Sequence, residues 1–164
     1  MSTQLKNLSD FSETDIPSAA PYRFGIVVAE WNAVITNSLY GGAYESLLEH
    51  GALPDNIFTY SVPGSFELTS GAELLLKNSK LDAIICLGCV IQGETRHFDF
   101  ICSAVANGLT NVAVKYSKPV IFGVLTTDNQ QQAVDRSGGR HGNKGVEAAV
   151  TAIKMAYLAE TLNS

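Results

Sequence analysis

The sequence predicts an α/β protein: a single-domain, three-layer sandwich in which helices cover both faces of a four-stranded parallel sheet. Two observations predict this fold. Four short apolar runs have the length and composition of buried strands, and amphipathic stretches with helical spacing separate them. Apolar strands that alternate with such helices form parallel sheets, and the crossover connections are expected to be right-handed.

The first half of the domain is expected to contain two strands and one helix. Residues 24–29 (FGIVVA) are apolar throughout and predict the first strand. A helix is expected over about 34–50, because its apolar residues recur every three or four positions, and Gly51 ends it. Residues 57–62 predict the second strand, which Pro63-Gly64 terminates.

The second half repeats the alternation of helices and strands. We expect a helix over 66–76, a strand over 83–91, a helix with apolar residues from 98 to 112, a strand over 119–125, a short helix over 129–137 and a final helix after Gly138-Gly139. On the final helix, the spacing predicts an inward face formed by Val146, Ala149, Val150, Ile153 and Tyr157.

Residues 1–21 differ from the rest of the chain. They show no sustained periodicity and contain Pro17 and Pro21. We therefore expect a flexible or loosely docked arm, followed by the folded domain over residues 22–164. The alternative is an interface arm that extends the sheet of a neighbouring subunit with an N-terminal strand.

The composition argues against several classes of function. Hydrophobic residues make up 46% of the 164 positions, which excludes general disorder, and the net charge of −5 argues against nucleic acid as the main partner. No apolar run reaches the ~18 residues of a membrane span, and no apolar signal core begins the chain. We expect a cytoplasmic protein with no membrane partner. Charged residues make up only 16%, against a typical ~25%, which favours an oligomer.

The three cysteines predict neither a disulfide nor a metal site. An odd number fits a reducing compartment. Cys86 and Cys89 lie three positions apart in a predicted strand, so their side chains face opposite sides of the sheet. We interpret both, and Cys102 on the third predicted helix, as small hydrophobic residues. No spacing of His, Asp or Glu indicates a metal centre.

Ligands of parallel sheets bind beyond the carboxyl ends of the strands, so the loops there carry the candidate site. Trp31, the only tryptophan, follows the first strand and is either a stacking surface for a flat ring or a core side chain. Ser65 and Glu67 follow the second strand and either face a polyol or cap the next helix. Neither a dinucleotide-binding motif nor a P-loop is present.

The loop after the third strand, residues 88–99, is the richest in candidate groups. Its glycines lead into a helix whose first N–H groups lack helical partners, which is typical of an anion site. His97 lies in the first turn and is a candidate for acid/base catalysis, although a lone histidine is more often structural.

A basic cluster follows the fourth strand. It is either a solvated helix end or a phosphate clamp, for which the forked donors of arginine are suited. Its members are Arg136, Arg140, His141 and Lys144.

Four motifs together resemble the lumazine synthase family. They are VPGSFE at 62–67, GCVIQGETRHFDF at 88–100, PVIFGVLTTDN at 119–129 and DRSGGRHGNKG at 135–145. The resemblance covers about residues 24–158 and implies a flavodoxin-like fold. It also implies an enzyme of riboflavin biosynthesis that condenses 5-amino-6-(D-ribitylamino)uracil with 3,4-dihydroxy-2-butanone 4-phosphate. A Schiff base, phosphate elimination and ring closure lead to 6,7-dimethyl-8-ribityllumazine, and no metal or organic cofactor is implied.

The resemblance further implies roles for individual residues. His97 is the expected proton-transfer residue, while Asn32 and Lys144 are expected to make secondary contacts. Phosphate binding is assigned to Glu94, Thr95 and Arg136. The pyrimidine and its ribityl chain are expected to contact Trp31, Ser65, Phe66, Glu67, Cys89, Val90, Ile91 and Phe122. In the family, the residue that corresponds to Phe122 comes from the adjacent subunit.

The resemblance also implies partners of the same chain. The family forms homo-pentamers with sites between adjacent subunits, and some members assemble 60-subunit icosahedral shells. Residues 138–143 are compact and lack the insertion that often marks pentamer-only members, which favours the shell. Riboflavin synthase is a candidate partner. Two alternatives with the same fold stay open: a non-catalytic flavin- or lumazine-binding protein, and a purely shell-forming protein.

Overall fold

The computed structural model describes residues 15–163 and contains five helices and six strands in that range. The strands are β1 Phe24–Ala29, β2 Ile57–Val62, β3 Ala83–Ile91, β4 Val120–Thr127, β5 Ser137–Gly139 and β6 Gly142–Asn143. The helices are α1 Ala33–Glu49, α2 Leu68–Asn78, α3 His97–Tyr116, α4 Gln130–Arg136 and α5 Lys144–Asn163. Single 3₁₀ turns precede β2 and α2, at Pro54–Asn56 and Ser65–Glu67.

Four of the strands form one parallel sheet in the order β2-β1-β3-β4. Helices cover both of its faces, so the predicted fold class is confirmed. The first three strands have the bounds expected from the sequence. β4 continues two residues further, because Thr126 and Thr127 pair with the last two residues of β3. The apolar run alone did not reveal those polar positions.

The sheet separates two hydrophobic clusters. One cluster contains the inner faces of α1, α4 and α5, and the other contains those of α2 and α3. Cys89 belongs to the first cluster and Cys86 to the second, which confirms that the two thiols face opposite sides. Burial raises the pKa of Cys89 to about 11 and also raises that of Cys86, so both thiols stay protonated at neutral pH.

The inward face of α5 differs from the predicted one. Tyr157 is 50% exposed, so its predicted burial is wrong. α5 packs so closely on α1 that a Cβ at Gly145 would overlap the Leu39 carbonyl. Such a close approach favours small side chains, and the buried face accordingly consists of Gly145, Ala148, Ala149, Val150, Ala152, Ile153 and Ala156.

A short antiparallel pair, β5 and β6, joins α4 to α5. The sequence does not predict this pair, because strands of only three and two residues are too short to show an alternating pattern. Gly138 and Gly142 adopt positive φ angles of 114° and 85°, which the turn requires and which glycine adopts without steric strain.

The segment that precedes β1 lies against the end of the domain at which the strands begin. Ala19 is buried and its N–H donates to the His50 carbonyl at 2.8 Å. The Tyr22 hydroxyl donates to Glu160 at 2.6 Å, and burial together with this hydrogen bond raises the pKa of Tyr22 to about 12. Residues 15–21 form no strand, and the rest of the expected arm, 1–14, lies outside the described residues.

Candidate active site

A groove of about 790 Å³ opens beyond the carboxyl ends of β1, β2 and β3. This is the edge at which parallel sheets bind ligands. The groove receives side chains from the loops after those three strands and from the first two turns of α3. Its lining consists of Trp31, Asn32, Gly64, Ser65, Phe66, Glu67, Cys89, Val90, Ile91, His97 and Ile101.

The loop after β1 presents Trp31 to solvent. The indole is 73% exposed, so the interpretation of Trp31 as a core side chain is wrong and a stacking surface is available. The backbone N–H of Trp31 donates to the Pro63 carbonyl at 3.3 Å, which connects this loop to the end of β2. The next residue, Asn32, has left-handed backbone angles and donates from Nδ2 to the Cys89 carbonyl at 2.9 Å.

The loop after β2 forms a 3₁₀ turn that buries a hydroxyl without a partner. Ser65 is only 6% exposed, and its Oγ makes no hydrogen bond within residues 15–163. A Cβ at Gly88 would lie 2.6 Å from that oxygen, so the glycine leaves the space in which the hydroxyl sits. Neither Ser65 nor Glu67 caps α2 through its side chain, which removes the structural alternative for this pair.

Glu67 and Trp31 approach each other across Gly64. A Cβ at Gly64 would lie 3.1 Å from the Glu67 carboxylate and 3.7 Å from Trp31 Cδ1. The groove therefore has a hydrogen-bond acceptor, the Glu67 carboxylate, near the Trp31 ring. A side chain at position 64 would contact both of them. Phe66 adds a second exposed aromatic side chain at 55% exposure.

The end of β3 contributes backbone groups. The N–H groups of Ile84 and Gln92 both donate toward β4, at 2.9 and 2.8 Å, which assigns the even-numbered amides of β3 to that side. Successive residues of a strand direct their N–H and C=O groups to alternate sides. β1 pairs with β3 only as far as Leu87. The N–H and C=O of Ile91 therefore point past the end of β1, toward the groove.

His97 begins α3 and lines the groove, and its side chain is exposed. Its backbone N–H donates to the Thr95 hydroxyl at 3.4 Å. Glu94 and Thr95 lie in the exposed loop between Ile91 and His97, beside the groove but not in its lining. Nothing lies within 4 Å of a Cβ built on Gly93, so this loop is open to a ligand.

Besides Glu94 and Thr95, three predicted site residues do not line the groove, and we call Phe122, Arg136 and Lys144 the distal set. Phe122 lies on the edge strand β4 and pairs with Cys86. Cys86 is three residues before Cys89, where β3 begins to line the groove, which corresponds to about 10 Å at ~3.3 Å per residue. Phe122 is also one strand further out. A single chain therefore does not bring Phe122 into its own groove.

The two cations of the distal set flank the β5–β6 turn. Arg136 ends α4 and donates to the Gln132 carbonyl at 3.5 Å. Lys144 begins α5 and its Nζ lies 2.9 Å from Glu147. Their neighbour Arg140 lies 2.8 Å from the buried Asp135. The basic cluster is thus partly neutralised by carboxylates, and none of its members lines the groove of its own chain.

The groove also contains Ile101 and Gly64, which the sequence did not predict as site residues. Ile101 lies four positions after His97, and this helical spacing puts both on one face of α3. Gly64 lies inside the VPGSFE motif but had been considered only as a strand terminator. The position of Ile101 in the groove could have been predicted from its i, i+4 relation to His97. The position of Gly64 could not, because it depends on Trp31 and Glu67 being close to Gly64 in the folded chain.

The described part of the chain contains no group of three or more His, Cys, Asp or Glu side chains that could hold a metal ion. None of its helices combines the length and apolarity needed to cross a membrane.

Comparisons with known proteins all give one family description. A family model described as 6,7-dimethyl-8-ribityllumazine synthase matches residues 21–160. A protein of that name from Cytophaga hutchinsonii is 61% identical over 162 residues, which is 99% of this chain and 100% of that protein. One from Flavobacterium johnsoniae is 54% identical and covers 96% of this chain and 83% of its own length. One from Parabacteroides distasonis is 54% identical, with coverages of 94% and 97%.

Proposed function

The chain belongs to the 6,7-dimethyl-8-ribityllumazine synthase family, and we propose that its groove binds the substrates of this reaction. The activity is that of an enzyme of riboflavin biosynthesis. It condenses 5-amino-6-(D-ribitylamino)uracil with 3,4-dihydroxy-2-butanone 4-phosphate to 6,7-dimethyl-8-ribityllumazine. An amine of the pyrimidine forms a Schiff base with the ketone, phosphate leaves, and the new ring closes with loss of water. Holding two substrates side by side supplies a large part of such a rate acceleration.

The pyrimidine ring binds between Trp31 and the end of β3. The exposed indole provides a face for stacking. The N–H and C=O of Ile91 provide a donor and an acceptor for the polar edge of the ring. The Cys89 carbonyl already accepts from Asn32, and the backbone groups of Val90 point toward β4, so these two residues contribute to the groove as lining. A planar ring with donors and acceptors on its rim matches this combination of an aromatic face and strand backbone.

The ribityl chain runs along the loop after β2. Its hydroxyls can both donate and accept hydrogen bonds. One of them pairs with the buried Ser65 hydroxyl, which otherwise lacks a partner, and another donates to the Glu67 carboxylate. An unpaired buried hydroxyl costs about 1–3 kcal/mol, so a ligand that satisfies it gains affinity. Phe66 covers the carbon backbone of the chain.

The phosphate of the ketone binds where α3 begins. Backbone N–H groups of Glu94 and Thr95 lie at this helix start, where the helix dipole favours an anion. The carboxylate of Glu94 points away from the anion in this arrangement. His97, the next groove residue along the chain, transfers protons during Schiff-base formation and phosphate elimination.

The distal set completes the groove of an adjacent subunit. Phe122 covers the pyrimidine there, Arg136 clamps the phosphate and Lys144 makes a secondary contact. The support is that none of the three lines the groove of its own chain. The assembly is a homo-pentamer in the cytoplasm, and twelve pentamers form a 60-subunit shell. Riboflavin synthase is a candidate partner of this shell, and an N-terminal strand from residues 1–21 is a candidate link between subunits.

The observation that carries the proposal is the convergence of four chain segments on one groove. The test is an absorbance assay in which purified protein, both substrates and EDTA are mixed and lumazine formation is followed above the uncatalysed background. We expect acceleration that the chelator does not change. Loss of activity with EDTA contradicts the cofactor-free reaction. No acceleration, with the pyrimidine still quenching Trp31 fluorescence, indicates a binding protein instead.

A further inference from the structure

Asn32 connects the loops at the ends of the three strands that border the groove. Its Nδ2 donates to the Cys89 carbonyl of β3 at 2.9 Å. Its own carbonyl accepts from Ile35 and Thr36 at 2.8 and 3.1 Å, which starts α1. The preceding N–H, that of Trp31, donates to the end of β2. One residue therefore joins β3, α1 and, through its neighbour, β2.

The backbone of Asn32 restricts which residues can take this place. Its φ and ψ are 59° and 46°, in the left-handed region that most L residues avoid. Asparagine tolerates this region better than other non-glycine residues with a side chain of this size. Of the residues that adopt it readily, glycine has no amide to donate, and aspartate presents an acceptor instead of a donor to the Cys89 carbonyl.

The indole of Trp31 has few other constraints on its position. It is 73% exposed, so packing holds it weakly. Its Cδ1 would lie 3.7 Å from a Cβ at Gly64, so this atom of the ring is near the Gly64 backbone. The orientation of the ring therefore depends on the backbone on either side of it, which the Pro63 carbonyl holds before Trp31 and the Asn32 amide holds after it.

We propose that Asn32 is a positioning residue for pyrimidine binding: its amide fixes the Trp31 ring at a set distance from the backbone edge of β3. The pyrimidine is gripped between those two surfaces, so its affinity depends on their spacing. Within residues 15–163, the hydrogen bonds of Asn32 go to Cys89, Ile35 and Thr36 and none goes to the phosphate loop at 92–96, so we expect phosphate binding to be unaffected. This inference rests on the proposed function, because it deepens the role of the same groove.

The decisive variants are Asn32→Gly and Asn32→Asp. Glycine retains the left-handed backbone and removes the amide, so we expect the KM for the pyrimidine to rise about three- to tenfold, the range for loss of one hydrogen bond. Aspartate puts a carboxylate oxygen against the Cys89 carbonyl, and a larger rise follows. The KM for the butanone phosphate stays unchanged in both variants.

Trp31 fluorescence tests the same inference without any substrate. It is the only tryptophan, so its anisotropy reports this ring alone. We expect lower anisotropy in free Asn32→Gly than in the natural protein. If the natural protein forms no lumazine, the proposed function fails while this measurement still decides whether Asn32 positions the ring.

Ser117 supplies the matched control. It is the other non-glycine residue with positive φ in the described chain, at 48°, and it lies at the opposite end of the sheet. Both Ser117→Ala and Asn32→Ala put alanine into a left-handed backbone and should lower the Tm. Only Asn32→Ala should also raise the pyrimidine KM. Equal rises in both KM values, or an unchanged pyrimidine KM and anisotropy in Asn32→Gly, overturn the inference.

Discussion

The groove and the distal set use different chemistry although both were expected in one site. The groove is lined by aromatic rings, backbone groups and apolar side chains, and it also contains the carboxyl of Glu67 and the imidazole of His97. The distal set carries an arginine and a lysine beside one aromatic ring. The groove suits the uncharged pyrimidine, and the distal set suits the anionic phosphate. Among the described residues, arginine and lysine are absent from the groove lining, and the distal set contains one of each.

The two regions also differ in how the fold builds them. The groove forms where neighbouring strands of one sheet end, so its residues meet as soon as the sheet forms. The distal set lies on the outer edge strand and around the β5–β6 turn. A chain that carries both halves apart from each other is suited to symmetric assembly, in which every subunit completes a neighbour.

The largest expected effect comes from the groove. His97→Ala should lower kcat by about 10²–10⁴-fold, the usual contribution of a general acid/base, with little change in either KM. The pH–rate profile of the variant should lose the dependence that the imidazole contributes. Steady-state kinetics across pH check this, and a profile identical to that of the natural protein contradicts the assignment of His97 as proton carrier.

A smaller and more selective effect is expected in the distal set. Arg136→Ala should raise the KM for the butanone phosphate by about 10- to 100-fold, as expected for loss of a charge-assisted contact. Pyrimidine binding, measured by quenching of Trp31, should stay nearly unchanged. Equal losses for both substrates contradict the phosphate clamp.

Mixing the two variants shows whether the active site is formed within one chain or between two chains. When His97→Ala and Arg136→Ala subunits are assembled together, random mixing makes about a quarter of the sites intact if groove and distal set come from different subunits. Mixtures of His97→Ala with Trp31→Ala provide the control, because both changes affect the groove and no intact site arises. Without recovery in the first mixture, the shared site is excluded.

The smallest effect is expected at a charged cluster outside both regions. Hydrogen bonds from Lys115, Lys77 and Tyr116 lower the pKa of Glu73 to about 2. Because this pKa is lower in the folded than in the unfolded state, the stabilisation is present above the ordinary value of ~4.3 and is lost as the pH falls toward 2.

Glu73→Gln should therefore lower the Tm by only a few degrees at pH 7, since partly exposed ion pairs contribute little. The difference between the two proteins should shrink as the pH drops through that window, while both KM values stay constant. Thermal unfolding at a series of pH values measures it. A change in either KM would show that the contact of Glu73 on α2 with α3 affects substrate binding in the groove.

Much of the fold was predictable because its signals are local. The apolar runs at 24–29 and 83–91 and the partly alternating run at 57–62 predicted strand bounds that the structure reproduces. Each of these predictions uses only residues that are adjacent in the chain. Tyr157 was assigned wrongly for the opposite reason: helical spacing tolerates it on the inner face of α5, but the close approach of α1 at Gly145 admits only small side chains.

The candidate site was predictable as a set of residue types rather than as an arrangement. The predicted strands placed Trp31, Ser65 and His97 in the loops that follow them, and a parallel sheet brings such loops together. The capping alternative for Ser65 could be removed only when its hydroxyl was seen to be buried beside Gly88 without a partner.

The sequence by itself determined the four strands of the parallel sheet, the helices, the family and the residue types of the loops, because periodicity and motifs are properties of residues near one another in the chain. The tertiary structure alone decided which of those residues share a groove. Strand order puts Trp31 next to Cys89 through Asn32 and leaves Phe122 on the far edge. Distances between loops depend on how strands pair across the sheet, and no local pattern encodes them.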